Sequence, residues 1–173
     1  MAPFAIALTD EQIAREQFPV MADFETPFET DRWTGGAKMG IDRDMARHGT
    51  ASLIIHLTTA QYSGAGLKYF PGDWSDYSVF RFSVFNPSSA PMKVLCRVHD
   101  ALHFKKGGKY EDRFNRTLVI DAGWNDIDIS LEDIAKAPKN RPMEMSRIQG
   151  FGIFTVQLPT PQTINIDYLR LDR

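Results

Sequence analysis

The sequence predicts an all-β fold, a two-sheet antiparallel β-sandwich of the jelly-roll type. Short segments of alternating apolar and polar residues follow one another along most of the chain, with turn residues between them. Asp23-Phe24-Glu25 closes the first segment, and the last segment carries another acid, Asp167, as expected where the edges of a jelly roll meet. The connections are too uneven in length for an up-and-down barrel, which favours the sandwich.

The expected strands are assigned from this alternation and from the turns that separate them. They comprise residues 20–25, 37–42, 52–57, 65–69, 79–86, 92–99, 112–120, 125–130, 148–156 and 163–171. A short helix is predicted at 9–16, with Thr9 as its N-cap, and a helical turn follows a second capping box at Ser130. With 173 residues and no internal repeat, we expect a helical extension or linker at 1–17 and one sandwich domain at 18–173.

Composition excludes several function classes. The net charge is −2 and basic residues are mixed with acids, so neither nucleic acid nor an anionic membrane is an expected partner. Cys96 is the single cysteine, which excludes an internal disulfide, and its apolar neighbours in 92–99 predict a core position. No apolar run reaches the roughly 20 residues of a membrane span, and the first residues lack the basic start of a signal peptide.

Two of the expected strands carry an unusual set of polar side chains. Alternation in 92–99 places Arg97 and His99 on the face opposite the apolar residues, and alternation in 112–120 sets Arg113 and Asn115 on one face. If the two strands pair, the four side chains share one face of a sheet. Planar donors and acceptors of this kind bind sugar hydroxyls, so this face is the candidate ligand-binding surface.

Further residues are candidates to extend this surface. Tyr62, in a loop beside Gly64, is the aromatic residue that we place over a sugar ring, because exposed rings stack on pyranoses. Arg81 and Ser83 alternate with phenylalanines in their strand and are candidates to join the same polar face.

The segment between the two polar strands contains Asp100, His103 and Asp112, and three interpretations stay open. In the first, these residues contact a bound glycan together with the polar face. In the second, they and His99 ligate a metal, since all are ligand types, although their spacing matches no zinc motif. In the third, an Asp–Arg–His hydrogen-bond network pins a loop.

Several short motifs carry a resemblance to a known group of domains. They are Asp23-Phe24-Glu25, Trp33, His48-Gly49-Thr50-Ala51-Ser52-Leu53, Asp73-Trp74-Ser75-Asp76-Tyr77, Gly123-Trp124-Asn125 and Ile166-Asp167-Tyr168-Leu169-Arg170-Leu171. Through them, residues 18–171 resemble the carbohydrate-binding-module-like, galactose-binding-like jelly rolls. The chain is also similar, at 17–25 and 112–115, to the domain attached to some VanZ-like bacterial membrane proteins.

The resemblance implies a site, a metal and a location. A structural calcium ion at Glu25 and Asp167 is expected to tie the sheet edges together, because calcium prefers carboxylate and carbonyl oxygens. Without a metal, the two acids are expected to pair with Arg32, Arg47 or Arg170. The resemblance also implies an extracytoplasmic location, periplasmic or secreted, and tethering to a membrane protein or an enzyme.

The expected function is that of a non-catalytic carbohydrate-binding module that recognises a poly- or oligosaccharide on its concave face. Arginine and histidine there favour an acidic or heavily hydroxylated sugar. One alternative is a protein-interaction or assembly domain of the same fold, with a dry apolar patch in place of the polar groove. Another is a small polysaccharide lyase that uses His99, Arg113 and Tyr110, or a hydrolase that uses Asp100 with Asp112.

Overall fold

The computed structural model of this chain describes residues 11–26 and 29–173, which form a two-sheet antiparallel sandwich with few helices, as the sequence predicts. The strands are β1 (Val20–Ala22), β2 (Trp33–Thr34), β3 (Lys38–Asp42), β4 (Ser52–Leu57), β5 (Ser63–Leu67), β6 (Val79–Asn86), β7 (Met92–Asp100), β8 (Phe114–Ile120), β9 (Gly123–Ser130), β10 (Ile148–Thr155) and β11 (Gln162–Asp172). The helices are α1, described over residues 11–17, and α2 (Leu131–Lys136), with 3-10 turns at Glu29–Arg32, Phe104–Lys106, Tyr110–Asp112 and Met145–Arg147.

The two sheets differ in the number of their strands and in the strand that lies at their centre. The six-stranded sheet has the order β3-β4-β11-β6-β9, and β1 joins it by pairing with the later part of β11. The five-stranded sheet has the order β2-β5-β10-β7-β8. β11 therefore lies inside the first sheet, with β6 on one side and both β4 and β1 on the other.

Large apolar side chains join the two sheets. Phe80 and Phe82 point inward from β6 and meet Phe151 of β10, with ring centroids 5.1 and 5.3 Å apart. Trp74 packs against Phe80 from the preceding loop and is fully buried. Burying each such side chain contributes roughly 1.5–3 kcal/mol, so this aromatic cluster is a main source of the sandwich's stability.

All ten expected strands occur, but only β4 and β6 have the predicted bounds; the others differ by one to three residues at one or both ends, and β1, which ends at Ala22, differs most at a single end. β5 begins and ends two residues earlier than expected, and β2 is not among the expected strands. The glycines of β5 give no side-chain alternation, and a strand of two residues is too short to show any period. Both differences follow from the absence of a readable pattern.

The helices agree with the sequence where they are described. The Ser130 side chain accepts a hydrogen bond of 3.2 Å from the N–H of Glu132 and caps α2. Residues 11–17 are helical, while the predicted cap Thr9 lies outside the described residues. None of the described helices is long and apolar enough to cross a bilayer.

Candidate functional site

The outer face of the five-stranded sheet carries most of the predicted polar residues. β7 and β8 pair, which is the condition for a shared polar face, with Arg97 opposite Asn115 and Val98 opposite Phe114. Because Val98 and Phe114 are buried in the core, Arg97 and Asn115 lie on the outer face. Arg113 precedes β8, and its Nε donates a hydrogen bond of 2.8 Å to Asn115 Oδ1.

These residues form one surface, which we call the Arg97 face. It consists of Arg97, His99, Arg113 and Asn115, bordered by Tyr62 and Tyr110.

Glycines of the neighbouring strand make room for the two polar side chains of β7. In β10, Gly152 lies opposite Arg97 and Gly150 lies opposite His99. A Cβ atom at position 152 would lie 2.9 Å from Nε and 3.1 Å from Cζ of Arg97, and one at position 150 would overlap the His99 ring. Arg97 and His99 therefore lie across the backbone of β10. Their position depends on strand pairing as well as on their own rotamers.

His99 is buried and neutral, and it holds Arg97 in place. Burial lowers the pKa of His99 to about 4, and the positive charges of Arg97 and Arg113 add to this effect. Arg97 Nη1 lies 3.4 Å from His99 Nδ1. Since a guanidinium group only donates, Nδ1 is the acceptor and Nε2 carries the proton. At 7 % exposure, His99 positions the guanidinium and adds no charge of its own at neutral pH.

Two exposed tyrosines border the Arg97 face. Tyr62 is 67 % exposed and Tyr110 is 65 % exposed. The Tyr62 ring meets the Phe154 ring edge-on at 6.3 Å, and the Arg113 guanidinium lies 5.4 Å from the centre of the Tyr110 ring. Burial lowers the pKa of Arg113, and the Tyr110 and Tyr62 phenols oppose that shift.

Asp100, His103 and Asp112 adjoin the Arg97 face but are held by another residue, Arg141. Its guanidinium donates to both oxygens of Asp100, at 2.6 and 2.9 Å, and to both oxygens of Asp112, at 2.8 and 2.9 Å. Asp100 also accepts the N–H of Glu144 at 2.8 Å. His103 Nδ1 lies 3.3 Å from Asp112 Oδ2. We call Asp100, His103, Asp112 and Arg141 the Arg141 network.

This geometry favours the third interpretation of the segment, an Asp–Arg–His network that pins a loop. Burial alone would raise the pKa of Asp100, but the hydrogen bonds from Arg141 and Glu144 bring it below its ordinary value. The same arginine lowers the pKa of Asp112. The Asp100 side chain is fully buried, and its carboxylate oxygens accept hydrogen bonds from Arg141 and from the N–H of Glu144. Arg141 was not predicted, because it lies 41 residues from Asp100 in the sequence.

The two predicted calcium ligands hold one loop against the six-stranded sheet. Glu25 accepts the N–H groups of Thr50 and Ala51, at 2.7 and 3.1 Å, and the Thr50 hydroxyl at 2.7 Å. Asp167 Oδ2 accepts the N–H groups of Arg47 and His48, at 2.8 and 2.9 Å. The arginines considered as their ion-pair partners, Arg32, Arg47 and Arg170, pair with Glu29, Asp126 and Asp172.

The hydrogen bonds to Glu25 and Asp167 leave one of their four carboxylate oxygens for a cation. Asp167 is fully buried, and its Oδ1 has no hydrogen-bond partner within the described residues. The other three oxygens of Glu25 and Asp167 already accept N–H or O–H groups. No group of three or more His, Cys, Asp or Glu side chains placed to hold a metal occurs in residues 11–26 and 29–173. Calcium at Glu25 and Asp167 stays a prediction.

Arg81 and Ser83 do not join the Arg97 face, so that expectation is wrong. Both lie on β6 in the other sheet, where Arg81 pairs with Asp128 at 3.1 Å and with Asp172 at 3.0 Å. Ser83 donates a hydrogen bond of 2.7 Å to Asp126. Alternation along a strand identifies the side on which a residue lies, but not the sheet to which the strand belongs.

Comparisons with known proteins identify the fold. Neither a protein-family model nor a curated protein sequence matches the chain. The family 11 carbohydrate-binding module from Clostridium thermocellum, in complex with a β-1,3-1,4-mixed-linked tetrasaccharide, matches with a TM-score of 0.65 at 14 % identity, over 88 % of this chain and 94 % of that one. An exo-β-agarase matches with a TM-score of 0.70 at 15 % identity, over 88 % of this chain and 24 % of its own.

A xylan-binding domain of carbohydrate-binding module family 22 gives a TM-score of 0.52 at 16 % identity, over 87 % of this chain and 90 % of that domain. At these identities the likeness shows the fold. The chain therefore has the jelly-roll fold of carbohydrate-binding modules, as its motifs implied. Its similarity to the VanZ-associated domains stays a prediction.

Proposed function

We propose that this protein is a non-catalytic carbohydrate-binding module and that its ligand-binding surface is the Arg97 face. The observation that carries the proposal is the convergence of two guanidinium groups, one amide and two exposed tyrosine rings on one outer sheet surface. Planar polar groups bind sugar hydroxyls, and exposed rings stack on pyranoses. The likeness to one module in complex with a tetrasaccharide, and to one named for xylan, supports it.

The same geometry argues against the two enzymatic alternatives. A glycoside hydrolase needs one carboxyl group whose pKa is raised so that it acts as general acid, whereas Arg141 lowers the pKa of both Asp100 and Asp112. His99, the acid–base candidate for a lyase, is buried with a pKa of about 4. A base of that strength is poorly matched to proton abstraction at neutral pH.

The proposal also covers the location of the protein, its tethering to another protein and a bound calcium ion. In line with the family resemblance of its sequence motifs, the module works outside the cytoplasm and is tethered to a membrane protein or an enzyme. Calcium ties the loop at 47–51 to the last strand through Glu25 and Asp167, and the buried oxygen Asp167 Oδ1, which lacks a hydrogen-bond partner in the described part of the chain, supports this role. Melting temperatures measured with calcium and with a chelator test it, and a rise with calcium is expected.

A glycan array tests the binding proposal. The purified protein is compared with the double variant Tyr62→Ala, Tyr110→Ala and with Tyr69→Ala. Tyr69 is the matched control, because it is 65 % exposed but lines a cavity beside α1 instead of the Arg97 face. We expect binding to at least one saccharide class and a loss of affinity of about fivefold or more in the double variant, from two lost stacking contacts. Tyr69→Ala is expected to bind as the unmodified protein does.

Two results would overturn the proposal. A well-folded protein that binds no saccharide would favour the protein-interaction alternative instead. Binding that is lost in Tyr69→Ala and kept in the double variant would move the site to the cavity beside α1.

A further inference from the structure

Most arginines of the described residues form an ion pair with a carboxylate. They are Arg15, Arg32, Arg47, Arg81, Arg116, Arg141, Arg147 and Arg170. Arg43 and Arg173 form none within the described part of the chain, but both are exposed to water. Water screens such charges well, so they call for no partner.

Arg97 and Arg113 are unusual because both are partly buried and both adjoin Asn115, which lies opposite Arg97 and accepts a hydrogen bond from Arg113 Nε. Neither has a carboxylate within ion-pair distance among residues 11–26 and 29–173. Burial lowers the pKa of Arg97, and the positive charge of Arg113 lowers it further. The two guanidinium groups thus repel each other on a surface where water screens them less than at an exposed site. An anion bound between them would relieve that repulsion.

The guanidinium groups also keep free donors. Arg97 contacts His99 through Nη1, and Arg113 uses Nε toward Asn115. The remaining nitrogens of both groups have no acceptor in the described part of the chain, and none of them is buried. The fork of N–H groups in arginine matches the paired oxygens of a carboxylate or a sulfate.

We propose that the ligand of the Arg97 face is an anionic saccharide, whose carboxylate or sulfate ester groups contact Arg97 and Arg113 while its rings lie against Tyr62 and Tyr110. This inference rests on the proposed function and specifies its ligand class. His99 keeps Arg97 over β10, and Asn115 keeps Arg113 beside it, so both positive groups are placed before the ligand arrives.

Calorimetric titration against matched polymers tests the inference. Polygalacturonate is compared with its methyl ester, and dextran sulfate with dextran, so that each pair differs in anionic groups on the same backbone. Polyglutamate serves as a polyanion without sugar. The variants are Arg97→Gln, Arg113→Gln, as a double variant, and the charge-matched control Arg81→Gln, Arg170→Gln, which removes two arginines that carboxylates already neutralise on the other sheet.

We expect at least one charged polysaccharide to bind at least tenfold more tightly than its neutral partner. Whether polygalacturonate or dextran sulfate shows this preference identifies the recognised group as a carboxylate or a sulfate. The Arg97 and Arg113 double variant is expected to lose this preference, and the control to keep it. Circular dichroism checks folding. The single variant Arg113→Gln, at a residue outside the strands, is expected to lose part of the preference if the double variant does not fold.

The remaining outcomes each overturn a different statement. Equal affinity for charged and neutral partners overturns the anionic ligand but leaves the carbohydrate-binding proposal in place. A preference that survives in the double variant removes the site from these arginines. Polyglutamate binding as tight as that of the charged polysaccharides shows general anion binding. Failure of every polysaccharide to bind overturns the proposed function itself.

Discussion

The Arg97 face and the Arg141 network adjoin along β7, yet they use arginine in different ways. In the Arg141 network one guanidinium donates to two carboxylates, one of them fully buried. On the Arg97 face two guanidinium groups adjoin Asn115, with no carboxylate at ion-pair distance in the described part of the chain. The first arrangement satisfies its donors inside the protein and fixes a loop. The second leaves donors available at the surface.

The comparison shows that the role of a charged side chain depends more on the groups it contacts than on its residue type. His99 and Asp100 are neighbours in the sequence, but one supports the Arg97 face and the other belongs to the Arg141 network. Removing a residue of the Arg141 network should therefore affect stability, and removing one of the Arg97 face should affect binding.

The largest effect is expected from removing Arg141. Arg141→Met leaves the buried Asp100 carboxylate without its charged partner, so the free energy of unfolding should fall by about 3–5 kcal/mol. Urea denaturation followed by tryptophan fluorescence measures the change. The control is Arg147→Met, whose ion pair with Glu144 is partly exposed and should contribute less than about 1 kcal/mol. Similar losses in both variants would erase the distinction between the Arg141 network and an ordinary surface pair.

The pH dependence of stability tests the buried histidine of the Arg97 face. The pKa of His99 is about 4 in the folded protein and 6.5 ordinarily, so the folded state binds this proton more weakly than the unfolded chain does. The contribution of neutral His99 to the free energy of unfolding is complete above pH 6.5. It is lost as the pH falls toward 4, which lowers the free energy of unfolding by about 3 kcal/mol. Denaturation series across this range are compared for the unmodified protein, His99→Gln and the exposed-site control His56→Gln.

His99→Gln is expected to flatten this part of the profile, and His56→Gln to leave it unchanged. A profile that stays the same in His99→Gln would mean that His99 is charged or accessible in the folded protein. A residue other than His99 would then have to hold the Arg97 side chain in position.

The smallest effects are expected at two glycines of the outer face. In Gly64→Ala the added Cβ meets the backbone of Ile153 and Phe154, which cannot move without disturbing the β5–β10 pairing, so stability should fall by about 1–3 kcal/mol. In Gly152→Ala the added Cβ meets the Arg97 side chain, which is long and can shift. This variant should lose less than about 1 kcal/mol of stability and about fivefold in ligand affinity.

Thermal melting and ligand titration on both glycine variants check the distinction. A Gly152→Ala protein that binds ligand normally would show that the position of Arg97 over β10 does not matter for recognition. A Gly64→Ala protein of full stability would show that β5 and β10 tolerate a wider separation there.

Alternation made much of the fold and part of the site predictable. The bounds of β4 and β6 follow from regular alternation of apolar residues, and the same rule placed Arg97 and Asn115 on one face. The rule failed for Arg81, because it carries no information about which strands share a sheet. That information comes from long-range pairing, here of β6 with β11 and β9.

The Arg141 network could not be assembled from the sequence. Asp100 and Asp112 stand near residues of the Arg97 face in the chain, which made a common site plausible. Their actual partner comes from a loop 41 residues beyond Asp100, and no local pattern marks it. Tyr110 was considered only for a lyase, because nothing in the sequence shows that its ring lies beside Arg113.

The position of β11 has a consequence for how the protein is made. This strand comes last in chain order, yet it separates β6 from β4 and β1 within its sheet. It also supplies the carboxylate that fixes the backbone of Arg47, 120 residues earlier. During synthesis, β4 and β6 are therefore complete long before the strand that pairs with both. Their open edges are available to other chains in that interval. The closed sandwich therefore forms only after translation has reached β11.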